Sequence, residues 1–286
     1  MNSTKRIAKE IFPLCFDVET NIVKGNQQNS LYWAKSNSFR NSITISNILS
    51  HIKSNSLNNL SILNFSGIAA GQVDFPIMEY LRTKATQDIY WASTESPQSS
   101  YLENEYFKSK MEELKIDLKI IDFRFLSSLN GIFNSKFDII LFTEIAEHLD
   151  YSTLLNTLKS LSILLNDNGI CIITTPNLLS LGYRIKMLMG STRNMFWGDG
   201  LANLHNGLFG HITYYEIDRL KRILGEVNLE VIKSFTFDYG IRTNLVAIFI
   251  GLIKKKILKL FSTNLNASIF IVARKTNLKE NIPFKI

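Results

Sequence analysis

Short apolar runs recur along the chain from residue 61 onward and are separated by segments with helical periodicity. Runs of this length predict strands at 61–65, 89–92, 118–121, 138–142, 170–174, 231–235 and 269–273. Between two of them, leucines at positions 154, 155, 158, 161 and 165 form a stripe with the period of a helix. This alternation predicts an α/β fold whose mostly parallel sheet carries helices on both faces.

The same pattern divides the chain into unequal parts. Residues 1–60 are polar and show one helical pattern, so we expect an N-terminal extension, partly helical, that packs on a main domain at 61–275. Residues 178–210 interrupt the alternation after the end of a strand, which is where a segment that caps a site is expected. A basic helical insertion is expected at about 241–261, and residues 276–286 form a tail.

Composition is that of a globular protein and restricts the partners. Hydrophobic residues make up 45% of the 286 residues and aromatic residues 11%, which is enough for a core. The net charge of +7 suggests nucleic-acid binding, but the basic residues are scattered along the chain. The one dense run, from Lys254 to Lys259, lacks interleaved aromatic residues, so a nucleic-acid partner is not favoured.

Two features bear on location. Cys15 and Cys171 are too few for a disulfide framework and the first residues show no apolar signal segment, so we expect a cytoplasmic protein. The apolar run at 245–253 is shorter than the roughly 20 residues that span a bilayer. With the lysines that follow, it predicts a helix packed on the domain; a basic helix on the inner face of the membrane is the alternative.

Three polar side chains follow the predicted strand at 138–142. Glu144, Glu147 and His148 form the sequence ExxEH, and spacings of three and four residues put all three on one face of a helical turn. In an open α/β sheet, ligands bind at the carboxyl ends of the strands. The sequence therefore predicts a site here, and a surface turn with three solvated side chains is the alternative.

The stretch from residue 137 to 177, FDIILFTEIAEHLDYSTLLNTLKSLSILLNDNGICIITTPN, resembles the fourth and fifth strands of class I S-adenosylmethionine-dependent methyltransferases. Two later segments, GHITYYEIDRLKRILGEVNLEVIKSF and SIFIVARK, look like the next helix and strand and the last strand of that family. The resemblance covers about residues 60–275. It implies a Rossmann-like sheet of seven strands, mostly parallel with an antiparallel last strand, that binds S-adenosylmethionine.

The loop after the first strand departs from the family, which usually has an acidic residue and the sequence G-x-G-x-G there. In ILNFSGIAAGQVDF, Asn64 replaces the acid, and Ser66, Ile68 and Ala70 occupy the expected glycine positions. Small residues still permit a tight loop. Either the loop is rebuilt around the same donor, or donor binding is weakened or lost. The resemblance assigns to the donor loop Asn64, Ser66, Gly67 and Gly71.

The resemblance implies three further contacts to the donor. Glu95 ends the second predicted strand, where the family's carboxylate accepts hydrogen bonds from both ribose hydroxyls. An acid that stabilises the start of a helix is the alternative for Glu95. Asp122, after the third strand, is expected to receive the adenine amino group, and Thr143 is expected to line the donor pocket.

Three roles compete for Glu144, Glu147, His148 and the later His211. In the family, residues after the fourth strand line the donor and acceptor pockets. An imidazole, whose ordinary pKa is near 6.5, also suits a general base, for which His148 is the candidate. ExxEH followed by a distant histidine resembles the metal-assisted O-methyltransferases of small-RNA ends and ubiquinone precursors, which implies Mg²⁺ or a softer divalent ion on all four side chains. His211 is equally expected to cap the next helix.

The expected function is S-adenosylmethionine-dependent methyl transfer, with oxygen favoured over nitrogen or carbon. Arg184 and Trp197 in the segment 178–210 are expected to hold a phosphorylated or sugar-like acceptor by bidentate contacts and stacking. Saccharide-modifying members of the family often carry such a segment, so we predict a saccharide, nucleotide-sugar or other small-molecule acceptor in polysaccharide biosynthesis. The alternatives are a methyltransferase-fold binding protein without catalysis and, third, an RNA methyltransferase.

Overall fold

The structure of the protein is a computed structural model that describes residues 2–22, 27–66, 70–84, 88–122, 129, 131–190, 211–238 and 264–276. The strands are β1 (Asn59–Asn64), β2 (Asp88–Glu95), β3 (Asp117–Ile120), β4 (Phe137–Thr143), β5 (Leu165–Pro176), β6 (Leu229–Phe237) and β7 (Ser268–Lys275). The helices are α1 (Asn2–Asn21), α2 (Gln27–Asn55), α3 (Ala70–Lys84), α4 (Glu105–Glu113), α5 (Tyr151–Leu164), α6 (Leu181–Leu188) and α7 (Ile217–Glu226).

The strands form one seven-stranded sheet in the order β3-β2-β1-β4-β5-β7-β6. β7 is antiparallel to both of its neighbours, and the other neighbouring pairs are parallel. The predicted Rossmann-like sheet is therefore confirmed. The strand order reverses between β1 and β4, and a reversal of this kind opens a crevice at the carboxyl ends of the two strands.

Helices cover both faces of the sheet. Ile139 and Leu141 of β4 belong to the apolar cluster that contains residues of α1, α2, α3 and α4. Ile140 and Phe142 of the same strand belong to the cluster that contains residues of α5 and α7. A strand buried on both faces is apolar along its buried length, which explains why residues 139–142 of β4 form a continuous hydrophobic run in the sequence.

The N-terminal extension is more helical than its sequence indicates. α1 and α2 together account for most of it, although only one helical pattern is evident in the sequence. Pro13 lies inside α1, and a proline at that position argues against a helix. The helix nevertheless forms because Ile7, Ile11, Cys15 and Val18 are all buried against the main domain at spacings of three and four.

Several predicted features fall outside the described residues. They are Gly67 of the donor loop, Trp197 in the segment 178–210, and the run from Lys254 to Lys259. Among the helices that the structure does describe, none is both long and apolar enough to cross a membrane.

Gly71 provides a test of how α3 packs against the N-terminal segment. A Cβ atom at position 71 would lie 2.9 Å from Phe75 Cε2, 3.1 Å from Ile22 Cδ1 and 3.2 Å from Phe107 Cδ2. We expect Gly71→Ala to destabilise the protein by about 1–3 kcal/mol, because the added methyl group would overpack the interior at this position. Gly182→Ala in α6 is the control, since a Cβ atom there has no neighbour within 4 Å. Urea unfolding that shows equal stability for the two variants would contradict this packing.

Candidate functional site

Polar side chains gather at the carboxyl ends of the central strands. Asn64 ends β1, Thr143 ends β4, and Thr174 pairs with Thr143 from β5. All three residues are buried, and Asn64 Oδ1, Thr143 Oγ1 and Thr174 Oγ1 have no hydrogen-bond partner within the described residues. Buried polar atoms are rarely left unpaired in folded proteins. Their concentration at the reversal of strand order indicates the binding site of a polar ligand.

The chain turns sharply where β4 ends. Glu144 has a left-handed backbone conformation with φ of 56°, which is uncommon for a residue other than glycine. Its N–H donates to the carbonyl of Thr174 at 2.8 Å, so the turn is fastened to β5. One turn of 3₁₀ helix follows at Ala146–His148, and Asp150 caps the start of α5. Strand, turn and helix together fix the directions of the ExxEH side chains.

Glu147 is directed into the protein, and its side chain is 1% exposed. Its Oε2 accepts a hydrogen bond from Thr175 Oγ1 at 2.8 Å, and its Oε1 lies 3.9 Å from His211 Nε2. Its backbone carbonyl accepts from the N–H groups of Ile212 at 2.8 Å and Thr213 at 3.1 Å. These two backbone bonds hold the segment that carries His211 against the ExxEH turn. The alternative of a solvated surface turn is therefore wrong for Glu147.

The environment of Glu147 favours its protonated form. Burial raises the pKa of this carboxyl group well above its ordinary range, and the charge of Glu144 raises it further. The hydrogen bond from Thr175 and the positive charge of Arg40 act in the opposite direction. A carboxyl group with a raised pKa beside an imidazole is an arrangement typical of proton-transfer sites.

Two histidines meet beside Glu147. The ring centroids of His148 and His211 are 4.9 Å apart in an edge-to-face arrangement. Glu147, His148 and His211 each offer one ligand atom within 4.8 Å of the other two. One carboxylate and two imidazoles can hold a divalent transition metal, or they can accept and move a proton. Of the four predicted metal ligands, these three come together, whereas Glu144 is not part of the group found among the described residues.

An aromatic wall continues from His211 toward α6. The ring of His211 is 5.7 Å from that of Tyr214, which is 5.4 Å from that of Tyr183. Tyr214 was not among the predicted site residues, although the pair of tyrosines at 214 and 215 is visible in the sequence. Arg184 lies on the exposed side of α6 and donates from Nε to the carbonyl of Leu179 at 3.0 Å. Its contact with an acceptor stays a prediction.

Asn64, which stands where the family has an acid, is hydrogen-bonded to an acidic residue of α3, Asp74. Asp74 in α3 is fully buried, and its Oδ1 accepts from Asn64 Nδ2 at 2.9 Å and from Trp91 Nε1 at 2.7 Å. Its Oδ2 accepts from Ser93 Oγ at 2.7 Å. Burial raises the pKa of Asp74 to about 7 in spite of these hydrogen bonds. Sequence reasoning missed Asp74, for which the only signal is one acid within an otherwise apolar helical segment.

Glu95 at the end of β2 holds the start of α3. It is completely buried, and its Oε2 accepts from the N–H of Ala70 at 3.0 Å while its Oε1 accepts from the N–H of Ser96 at 3.1 Å. Burial raises its pKa to about 7, and the two backbone hydrogen bonds oppose that shift. Each carboxylate oxygen has a second lone pair. The predicted contact with ribose hydroxyls is compatible with this geometry and stays a prediction.

Two other predicted donor residues lie at the same edge of the sheet. The N–H of Ser66 donates to Thr94 Oγ1 at 3.0 Å, and that hydroxyl donates back to the Ser66 carbonyl at 2.7 Å. This pair joins the residues after β1 to β2. Asp122 follows β3, is half-buried and accepts from Gln98 Nε2 at 3.3 Å. The predicted donor contacts of Ser66 and Asp122 stay predictions.

Comparison with known proteins identifies the class. Residues 16–234 match the family described as a methyltransferase domain, and the chain belongs to that family. The predicted membership of the S-adenosylmethionine-dependent methyltransferases is thereby confirmed. A comparison with curated proteins found no match.

Solved structures with a similar fold are distant in sequence. The pyocyanin biosynthetic protein PhzM is 13% identical with a TM-score of 0.49, and the match covers 88% of this chain and 58% of PhzM. Magnesium protoporphyrin IX methyltransferase from Synechocystis PCC 6803 is 12% identical with a TM-score of 0.47, over 85% of this chain and 87% of that one. For an S-adenosylmethionine-dependent methyltransferase from Clostridium acetobutylicum the values are 13%, 0.47, 82% and 91%.

Asp74 should make stability depend on pH. Its pKa of about 7 in the folded protein exceeds the ordinary value near 4, so stability falls as the pH rises from about 4 through about 7. Asp74→Asn removes this titration and should raise the melting temperature relative to wild type at pH 8 but not at pH 4.5. Asp167→Asn, at a side chain that is 82% exposed, should follow the wild-type curve. If the difference in melting temperature between Asp74→Asn and wild type is the same at every pH in this range, the assignment is wrong.

Proposed function

We propose that the protein transfers the methyl group of S-adenosylmethionine to a hydroxyl oxygen of a small acceptor, with a saccharide or nucleotide sugar as the favoured class. One observation carries this proposal. It is the set of buried polar atoms at the carboxyl ends of β1, β4 and β5 that have no hydrogen-bond partner in the described part of the chain, at the same end of the sheet as Glu147, His148 and His211. A polar ligand in the crevice would make the hydrogen bonds that the described residues leave unmade.

Methyl transfer to a hydroxyl group requires a proton acceptor. The acceptor oxygen forms a bond to the methyl carbon, the carbon–sulfur bond breaks, and its electron pair stays on sulfur, which becomes neutral. The hydroxyl proton passes to a base as the new bond forms. We assign this role to His148, because it is half-buried at the crevice whereas Glu147 is fully buried. Glu147, whose Oε1 lies 3.9 Å from His211 Nε2, holds His211 in place beside His148.

The acceptor side of the crevice supports a sugar-like or phosphorylated molecule. Tyr183, Tyr214 and His211 form an aromatic wall on which the apolar face of a sugar can stack. The ammonium group of Lys186 lies 5.7 Å from the centre of the Tyr183 ring, so a positive charge stands at the edge of this wall. With Arg184, it offers charge complementarity to a phosphate.

A divalent metal ion is the second candidate role for the three clustered side chains. The observation that favours it is the 4.8 Å limit that contains one ligand atom each of Glu147, His148 and His211. Glu147 Oε1, which accepts no hydrogen bond within the described residues, is among the atoms available for such an ion. Two imidazoles and one carboxylate suit Mn²⁺, Fe²⁺ or Zn²⁺ better than Mg²⁺. A bound ion would stabilise the acceptor oxygen as an alkoxide.

The position of Asp74 favours a protein that binds the methyl donor over one that has lost donor binding. The competing function, a binding protein without catalysis, depends on the altered donor loop, in which Asn64 replaces an acid. In the structure, Asp74 is hydrogen-bonded to Asn64, so an acidic group lies where the loop begins.

Calorimetry of donor binding separates these two functions. We expect S-adenosylmethionine and its demethylated product S-adenosylhomocysteine to bind with measurable heat at micromolar concentrations, because the crevice offers unpaired polar atoms to both. Absence of heat at millimolar ligand would exclude the enzyme and leave the binding protein.

A histidine substitution tests the chemistry. We expect His148→Ala to lower turnover by about 10²- to 10⁴-fold with a panel of saccharides and nucleotide sugars, measured as release of S-adenosylhomocysteine, and to leave donor affinity unchanged. His51→Ala is the control, since His51 lines a groove with Asp167 and Ile170 at the other end of β5. Wild-type turnover in His148→Ala would make it a structural histidine.

Metal addition distinguishes the two roles of the histidines. If the cluster binds metal, Mn²⁺ or Zn²⁺ should raise the melting temperature of wild type and of His51→Ala. The same ions should have no effect on His148→Ala, His211→Ala and Glu147→Gln, and a chelator should inactivate the wild type. Equal responses of all variants, with full activity in chelator, would leave general-base catalysis.

A further inference from the structure

Thr175 places a buried hydroxyl group at the carboxyl end of β5. Side chains alternate between the two faces of a strand, so Thr175 lies on the same face as Ile173, which belongs to the apolar cluster of α5 and α7. β5 lies between β4 and β7, and Thr175 is in register with Ile269 of β7. A buried β-branched side chain on an inner strand has few rotamers, so its hydroxyl group has a fixed position.

This hydroxyl group fixes one oxygen of a longer side chain. Thr175 Oγ1 donates to Glu147 Oε2 at 2.8 Å, and the two residues are 0% and 1% exposed. A glutamate side chain loses more rotamer freedom on burial than most side chains do, so its orientation has to be stabilised by a contact. The hydrogen bond to Oε2 selects one orientation of the carboxyl group, in which Oε1 lies 3.9 Å from His211 Nε2.

The orientation of Glu147 extends to the two imidazoles. Backbone hydrogen bonds to the Glu147 carbonyl place the segment that carries His211, and the direction of the His211 ring depends in addition on side-chain contacts. In this direction the centroid of the His211 ring is 4.9 Å from that of His148. Thr175 is thus the first member of a series of contacts that continues through Glu147 and His211 to His148.

We infer that Thr175 is a positioning residue, whose hydroxyl group holds Glu147 in the orientation that keeps the ring of His211 beside that of His148. The role is exerted through Glu147 and requires no contact between Thr175 and the methyl donor or the acceptor. Its effect on turnover rests on the proposed function, in which His148 is the base. Its effect on the contact between the two rings does not.

A structural role is the alternative, because a buried carboxyl group needs a hydrogen bond whatever its chemistry. Three variants separate the two roles. Thr175→Val keeps the shape of the side chain and removes the donor, and Thr175→Ser keeps the donor. Thr157→Val is the matched control: Thr157 of α5 is buried on the same face of the sheet, and its Oγ1 has no hydrogen-bond partner within the described residues.

The distance between the two imidazole rings tests the inference directly. NMR spectroscopy of the ligand-free protein, with isotope-labelled histidine, measures the nuclear Overhauser effect between the ring protons of His148 and His211, two of the four histidines. We expect this effect in wild type, Thr175→Ser and Thr157→Val, and its loss in Thr175→Val. Wild-type intensity in Thr175→Val would overturn the inference, and so would the absence of the effect from wild type.

Turnover with the panel of saccharides and nucleotide sugars shows whether this positioning serves the reaction. We expect Thr175→Val to lower kcat about 10- to 100-fold, with the KM for S-adenosylmethionine within about twofold of wild type, because a hydrogen bond to a buried carboxyl group is lost and donor contacts are kept. Thr175→Ser and Thr157→Val should stay within about threefold of wild type. An unchanged kcat in Thr175→Val would refute the positioning role.

A double-mutant cycle separates positioning from a general loss of structure. In the background of His211→Ala, the further change Thr175→Val should have no effect on kcat, because the ring that Thr175 positions through Glu147 is absent. Equal reductions in the two backgrounds would make the hydrogen bond structural and the inference wrong. If Thr175→Val has no cooperative melting transition, Thr175→Cys, whose thiol group is a weak donor, replaces it in every measurement.

The NMR measurement also separates this inference from the proposed function. Failure of wild type to bind S-adenosylmethionine would refute the proposed function. The nuclear Overhauser effect would still decide on Thr175, because it needs neither donor nor acceptor.

Discussion

The reversal of strand order between β1 and β4 is the constraint on which the rest of the structure depends. α3 follows β1 on one face of the sheet and α5 follows β4 on the other, so the carboxyl ends of two adjacent strands are left without a connecting helix above them. Polar side chains lie at these strand ends, and α1 brings Glu19 to the first turn of α3, where its Oε1 accepts from Gln72 Nε2 at 2.8 Å. The burial of these groups raises the free energy of the ligand-free protein, and a bound ligand that hydrogen-bonds to them can offset this increase.

Where burial follows from a local pattern, the sequence predicts the fold well. β4 is predicted at 138–142 and spans Phe137–Thr143, because its residues 139–142, which are covered on both faces of the sheet, form an uninterrupted apolar run. The ExxEH residues were also predictable, since they are adjacent in the sequence and directly follow that strand. β5 is longer than predicted because it begins with polar residues: the strand spans Leu165–Pro176, and the prediction starts only at residue 170.

Other parts of the site depend on tertiary packing that no local pattern encodes. Asp74 and Arg40 lie in helices, where a charged side chain normally indicates the solvent-facing side. Asp74 is buried because α3 packs against β1 and β2, and Arg40 is buried because α2 packs against α1 and α3. Glu147 points inward after a tight turn in which Glu144 has a left-handed backbone. A glutamate gives no sequence signal for that conformation, which is uncommon in residues other than glycine.

Three carboxyl groups near the crevice, those of Glu19, Asp74 and Glu95, have pKa values raised by burial to about 7. Near neutral pH each is therefore divided between its two protonation states. In the function proposed above, the sulfonium charge of a bound donor would favour the ionised forms of these carboxyl groups, and the loss of that charge on methyl transfer would favour the protonated forms. Their protonation would then be coupled to the state of the donor.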